Sequence, residues 1–145
     1  MSCKILRIYF VVAGLLLFTH QFARADDSAR LLGSYRVIHT TDLGQHTRVQ
    51  LQLHLVNHGP SELHIQRITL WDSSHPERAG SEACSIVVRT GASIDTTQEF
   101  TISRAEYEMW KRGARPRLVL EIGRPGERQT TKVVRLDPIS AGKGN

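Results

Sequence analysis

The stretch Thr47-Arg-Val-Gln-Leu-Gln-Leu-His-Leu-Val56 decides the fold class. Val49, Leu51, Leu53 and Leu55 fall on one parity, and Arg48, Gln50, Gln52 and His54 on the other. Side chains alternate faces along a strand, so this is a strand with one face on a core and one in water. Asn57-His58-Gly59-Pro60 stops it with turn residues.

Working outward, the same period recurs between turn signals. Tyr35 to Thr40 reads as a preceding strand, joined through a turn at Asp42-Leu43-Gly44. Leu63 to Trp71 reads as a following strand with a change of phase. Leu63 and Ile65 share one parity, Ile68 and Leu70 the other, so either both faces are partly covered or a bulge sits near Gln66-Arg67. A polar loop spans Asp72 to Glu82, and Cys84 to Arg89 is a short strand. Ile94 to Ile102 follows, with Ile94, Thr96, Gln98, Phe100 and Ile102 inward.

The period then changes. Ser103 and Glu106 fit a capping box at the start of a short helix. Tyr107 and Trp110 share one of its faces, and Gly113 ends it. Arg117 to Ile122 and Gln129 to Leu136 are the last strands, around a loop from Gly123 to Gly126 that contains Pro125. Pro138 closes the pattern. The expectation is an all-β domain: an antiparallel sandwich of about seven strands, with one short helical turn before the penultimate strand. A barrel is the main competitor.

The segment from Leu51 to Asp72 resembles strand B, the next turn and strand C of immunoglobulin-like and fibronectin III-like modules in exported bacterial proteins. In those modules an alternating strand ends at an Asn-x-Gly corner and leads into an L-x-I-x-x-I-x-L strand. Asn57, Gly59, Leu63, Ile65, Ile68 and Leu70 occupy those places. Phe100 to Ile122 is similar to strand E, helical turn and strand F of the same modules. The resemblance is one of architecture over residues 31 to 137, and the Cys-Trp-Cys set of antibody domains is absent. It implies an immunoglobulin-like sandwich and a binding or scaffolding role.

The N-terminus carries the three parts of a cleavable export signal. Lys4 and Arg7 precede an uncharged run from Ile8 to Phe18, and Ala23-Arg24-Ala25 offers a small-x-small cleavage site. The run is about 11 residues, short of the roughly 20 that a membrane span needs. Residues 1–25 are expected to be removed, leaving 26–145 as a single domain with a core over about 31–137 and a loose tail over 138–145. The mature chain is expected to be periplasmic or secreted, with no transmembrane segment.

Cleavage changes the charge. Losing Lys4, Arg7 and Arg24 takes Lys plus Arg from 19 to 16 against 14 Asp plus Glu, and net charge from +5 to +2. That small excess gives no reason to expect nucleic acid. Cys3 also leaves, so Cys84 is the mature chain's single cysteine and packing replaces any internal disulfide.

Candidate sites are few. Lys111, Arg112, Arg115 and Arg117, with Trp110 beside them, form a basic corner suited to a protein partner or an anionic envelope or surface polymer. The same cations also suit the C-terminal end of a helix dipole. The mature histidines all lie between His39 and His75. If the chain folds back at Gly59-Pro60, His54, His58 and His64 form an alternative zinc or copper site. No nucleophile elbow, zinc-protease helix or phosphate loop is present. The expectation is a non-enzymatic binding module without a cofactor, the alternatives being a periplasmic metal-binding domain and, third, an envelope hydrolase of unknown type.

Overall fold

The computed structural model describes residues 30–74 and 81–139. The expected signal peptide, His75 and the tail from Ser140 lie outside the described residues.

Seven strands and one helix follow in chain order: β1 (Leu31–Asp42), β2 (His46–Asn57), β3 (Leu63–Leu70), β4 (Ser81–Val88), β5 (Ser93–Ser103), α1 (Arg104–Lys111), β6 (Arg117–Ile122) and β7 (Thr130–Pro138). They form one sheet in the order β4-β3-β6-β7-β1-β2-β5. Its two edge strands, β4 and β5, are consecutive in the chain. The turn between them is tied to the end of β2, where Asn57 N–H donates to the Ala92 carbonyl (3.0 Å) and Gly91 N–H to the Asn57 carbonyl (2.8 Å). The sheet therefore curls almost into a barrel around one core.

Alternation in β2 puts Val49, Leu51, Leu53 and Leu55 at 0% exposure. These meet Ile65, Ile68 and Leu70 of β3, Phe100 and Ile102 of β5, Leu118 and Leu120 of β6 and Leu136 of β7. The phase change in β3 is a bulge. Register shifts between Ile65 and Arg67 in the pairings with both β4 and β6. The extra residue switches parity, so Ile65 and Ile68 can both be fully buried.

The sheet is mixed, which corrects the expectation of a wholly antiparallel one. β1 and β7 run parallel, paired only from Gly33–Leu136 to Tyr35–Pro138. The remaining ladders are antiparallel. Gly33 permits the close approach at this junction. A Cβ there would lie 2.6 Å from Leu136 Cδ2, 3.1 Å from Val134 Cγ1 and 3.3 Å from Leu55 Cδ2. The prediction is that Gly33→Ala destabilises by about 2 kcal/mol, the usual scale for overpacking a filled core. An unchanged midpoint in urea denaturation would contradict the close packing of this junction.

The first strand is longer than its sequence pattern suggests. Residues from Arg36 to Asp42 are exposed, and their backbone pairs with β2. At the turn that follows, Asp42 Oδ1 accepts from Gly44 N–H (2.8 Å), and Gly44 adopts φ 82°.

Candidate functional site

The site is built at the corner where α1 joins the β3–β6–β7 part of the sheet. Ser103 caps the helix, its Oγ accepting from Glu106 N–H (3.1 Å). The second half of the expected capping box is not made. The Ser103 N–H donates instead to Asp72 Oδ2 (2.5 Å), and Ser103 Oγ–H donates to Asp72 Oδ1 (3.0 Å). Asp72 is 2% exposed. A carboxylate at a helix N-terminus also meets the positive end of the dipole.

This frees Glu106 to act elsewhere. Its Oε2 accepts from Ser73 N–H (3.1 Å) and from Ser73 Oγ–H (2.6 Å), while Oε1 accepts from Trp110 Nε1–H (3.1 Å). Two carboxylates thus fasten the end of β3 to the helix. Trp110 is consequently buried, with Tyr107 edge-on to it at 6.0 Å between centroids. This corrects its place among the candidate binding residues: its indole is a core anchor whose polar atom is satisfied internally.

After α1 the chain turns at Gly113 (φ 98°), whose N–H donates to the Trp110 carbonyl (2.9 Å). Lys111 and Arg112 are exposed here. The Lys111 ammonium lies 2.6 Å from Glu108 and 5.6 Å from the centre of the Tyr107 ring. Its hydrogen bond holds the Glu108 carboxyl below the usual carboxylate range, chiefly by favouring the charged form. Lys111 is therefore locally neutralised.

Arg115 and Arg117 behave differently. They line an open groove of about 540 Å³ with Arg135, Ser73, Glu106, Met109, Gly113 and Ala114. Arg117 and Arg135 face each other across β6 and β7. The adjacent Leu136 N–H donates to the Pro116 carbonyl, so Arg117 and Arg135 occupy the non-hydrogen-bonded position where side chains stand closest. Like charges directly opposite one another cost stability. Among the described residues neither guanidinium has an ion-pair partner. Arg117 instead lies 5.3 Å from the centre of the Trp71 ring. Arg115 pairs with Asp137. The arrangement can hold an anion: three arginines line one groove, and the guanidinium of Arg117 lies on an aromatic face.

Arg135 was not among the residues singled out by sequence. Its signal was the hairpin itself, because counting equally outward from Gly126 meets Arg117 on one side and Arg135 on the other. Lys111 and Arg112 belong to the same run of charge as Arg115 but lie outside the groove lining.

The histidines are dispersed. His54 Nδ1 is 2.9 Å from Asp95 Oδ1 on β5, and His64 Nε2 is 2.8 Å from Glu62 Oε1. His58 is exposed at the turn, where its N–H donates to the Arg30 carbonyl. Among the described residues no group of three or more His, Cys, Asp or Glu is placed to hold a metal ion. The expected convergence of His54, His58 and His64 is therefore not formed. His54 is drawn along β2 to its β5 neighbour, and His64 to a carboxylate two residues away. Cys84 is half-buried in β4, its thiol 3.7 Å from the Ile65 carbonyl.

Compared with protein-family models, curated proteins and solved structures, the chain matches none.

Proposed function

We propose that this protein is an exported, non-enzymatic binding module on an immunoglobulin-like sandwich, and that it engages a protein partner through the groove of Arg115, Arg117 and Arg135. The strand division supports the sandwich reading. The short parallel junction divides the sheet into β1-β2-β5 and β4-β3-β6-β7. That is the division expected if β2, β3, β5 and β6 correspond to strands B, C, E and F. The export reading rests on residues 1–25; among the described residues no helix is long and apolar enough to cross a membrane.

The observation that carries the binding reading is the Arg117–Arg135 pair, two arginines at partner positions of neighbouring strands that line one groove and have no ion-pair partner among the described residues. A structural role favours an opposite-charge pair at such a position. A binding role favours two cations, because an incoming anion relieves their repulsion.

Arg135→Glu separates the two readings. It places a carboxylate opposite Arg117 and is expected to raise stability by about 0.5 kcal/mol, the scale of a cross-strand charge pair. The same change is expected to abolish partner capture when the protein is cross-linked in the cells that produce it. Capture undiminished in this variant would remove the groove from the binding surface. Capture of a surface polymer in place of a protein would overturn the choice of partner.

β5 offers a second mode of engagement. It is an edge strand paired with β2 from Ser93 to Ser103 without a register shift. A regular edge of this kind can accept an added strand.

A further inference from the structure

The groove's composition narrows the chemistry of what it binds. Of its three guanidinium groups, Arg115 is already paired with Asp137, and Glu106 forms part of the wall. Three cations against two carboxylates leave a small positive excess, suited to a single negative charge. A doubly charged phosphate group would meet Glu106 and Asp137 as well as the arginines. The pair on β6 and β7 presents planar forks, which match a planar carboxylate through two parallel N–H···O bonds.

The surroundings are also partly apolar. Met109 is 38% exposed and lines the groove. Ala114 is exposed and lines it as well. Met109 is flexible and suits a binding surface that must adapt to an apolar group. A highly charged polymer has no use for these two residues, whereas a peptide carrying a carboxylate beside an apolar side chain does.

We infer that the groove between α1 and the β6–β7 hairpin is a carboxylate-binding site for a peptide segment of the partner, with Arg117 and Arg135 holding the carboxylate and Met109 and Ala114 beside an adjacent apolar side chain. Arg117 is the oriented member, fixed over Trp71, and Arg135 closes on the ligand from the neighbouring strand. The carboxylate is supplied either by the partner's chain terminus or by an Asp or Glu side chain. This assignment deepens the binding reading above and rests on it.

The test is a nuclear magnetic resonance titration of the protein produced with its own leader. Four small probes are compared: N-acetyl-leucine, N-acetyl-leucine amide, N-acetyl-aspartic acid amide and inorganic phosphate. The Arg Nε–H signals and the Trp71 indole N–H report the groove. N-acetyl-leucine is expected to shift them saturably, its amide to leave them unmoved, and phosphate to bind more weakly than the carboxylate. Arg117→Gln and Arg135→Gln are each expected to weaken binding about tenfold, as loss of a charge-assisted bidentate contact implies. If Arg117→Gln disturbs packing on Trp71, Arg135→Gln still decides the matter, since Arg135 is exposed on β7.

A tighter fit for N-acetyl-leucine supports a chain terminus as the source, and a tighter fit for the aspartic acid amide supports a side chain. No saturable shift with either carboxylate would overturn the assignment, as would tighter binding of phosphate or binding that survives both substitutions. Failure of the probes while Arg135→Glu still abolishes partner capture would overturn the carboxylate assignment alone. Failure of both would overturn the binding reading itself.

Discussion

Replacement of Asp72 by alanine is expected to lower the unfolding free energy by about 4 kcal/mol, measured as the denaturant midpoint at constant slope. The carboxylate is buried and accepts three hydrogen bonds, from Ser103 N–H, Ser103 Oγ–H and Ser74 N–H (2.9 Å). Alanine leaves the buried Ser103 N–H without that acceptor, at a cost of about 1–3 kcal/mol, while the N–H of exposed Ser74 turns to water. The helix start loses its negative charge as well. Asp72→Asn keeps one acceptor oxygen and the side chain's shape, so about half the loss is expected. Equal losses in the two variants would mean that packing, and not hydrogen bonding, holds the corner together. Because Asp72 joins the end of β3 to α1, its removal is also expected to loosen the groove wall at Ser73 and Glu106.

Asn57→Ala is expected to cost about 3 kcal/mol, read from the same midpoint. Asn57 ends β2 at 0% exposure. Its Nδ2 donates to the Ser61 carbonyl (2.8 Å) and the Val88 carbonyl (3.0 Å), and its Oδ1 accepts from Gly59 N–H (2.9 Å). One side chain therefore shapes the turn into β3 and fixes the end of β4. Only an amide supplies both donors and an acceptor in this shape. Asn57→Asp, with no donor and with a charge facing two carbonyl oxygens, is expected to be no more stable than the alanine variant. A stable aspartate variant would contradict the bonding at this corner.

These two residues show unequal degrees of legibility. The Asn-x-Gly corner was visible in the sequence, as were the core parity of β2, the phase change in β3, with a bulge as one of its two readings, and the inward set of β5. In each case a short-range period carries the information. Ser103 and Glu106 were visible as a helix start, yet Asp72 replaced Glu106 at the cap amide because β3 ends next to it in space. Nothing local encodes that exchange. In β1 the stretch from Tyr35 to Thr40 was legible from its β-branched and aromatic residues, but Val37 and Ile38 are both exposed and show no alternation, so the strand's extension to Leu31 and Asp42 was not. The parallel pairing of β1 with β7 depends on which distant strand fills a space, and only Gly33 marks it.

The basic corner was legible in part. Arg115 and Arg117 were found as members of a charge run, but a run does not say which cations share a surface. Lys111 settles on Glu108, Arg112 caps the helix, and Arg135 arrives from the next strand. The two Trp residues could not be told apart by sequence either. Trp110 finds an acceptor in Glu106 and goes inside, whereas Trp71 ends beneath Arg117.

The most direct test compares one triple and one double variant in partner capture by cross-linking in the producing cells. One replaces Arg115, Arg117 and Arg135 by Ser, and the other replaces Lys111 and Arg112 by Ser. The expected result is that the first loses its partner and the second keeps it. Retention by the first with loss in the second would contradict the groove as the binding site and return the function to the helix end.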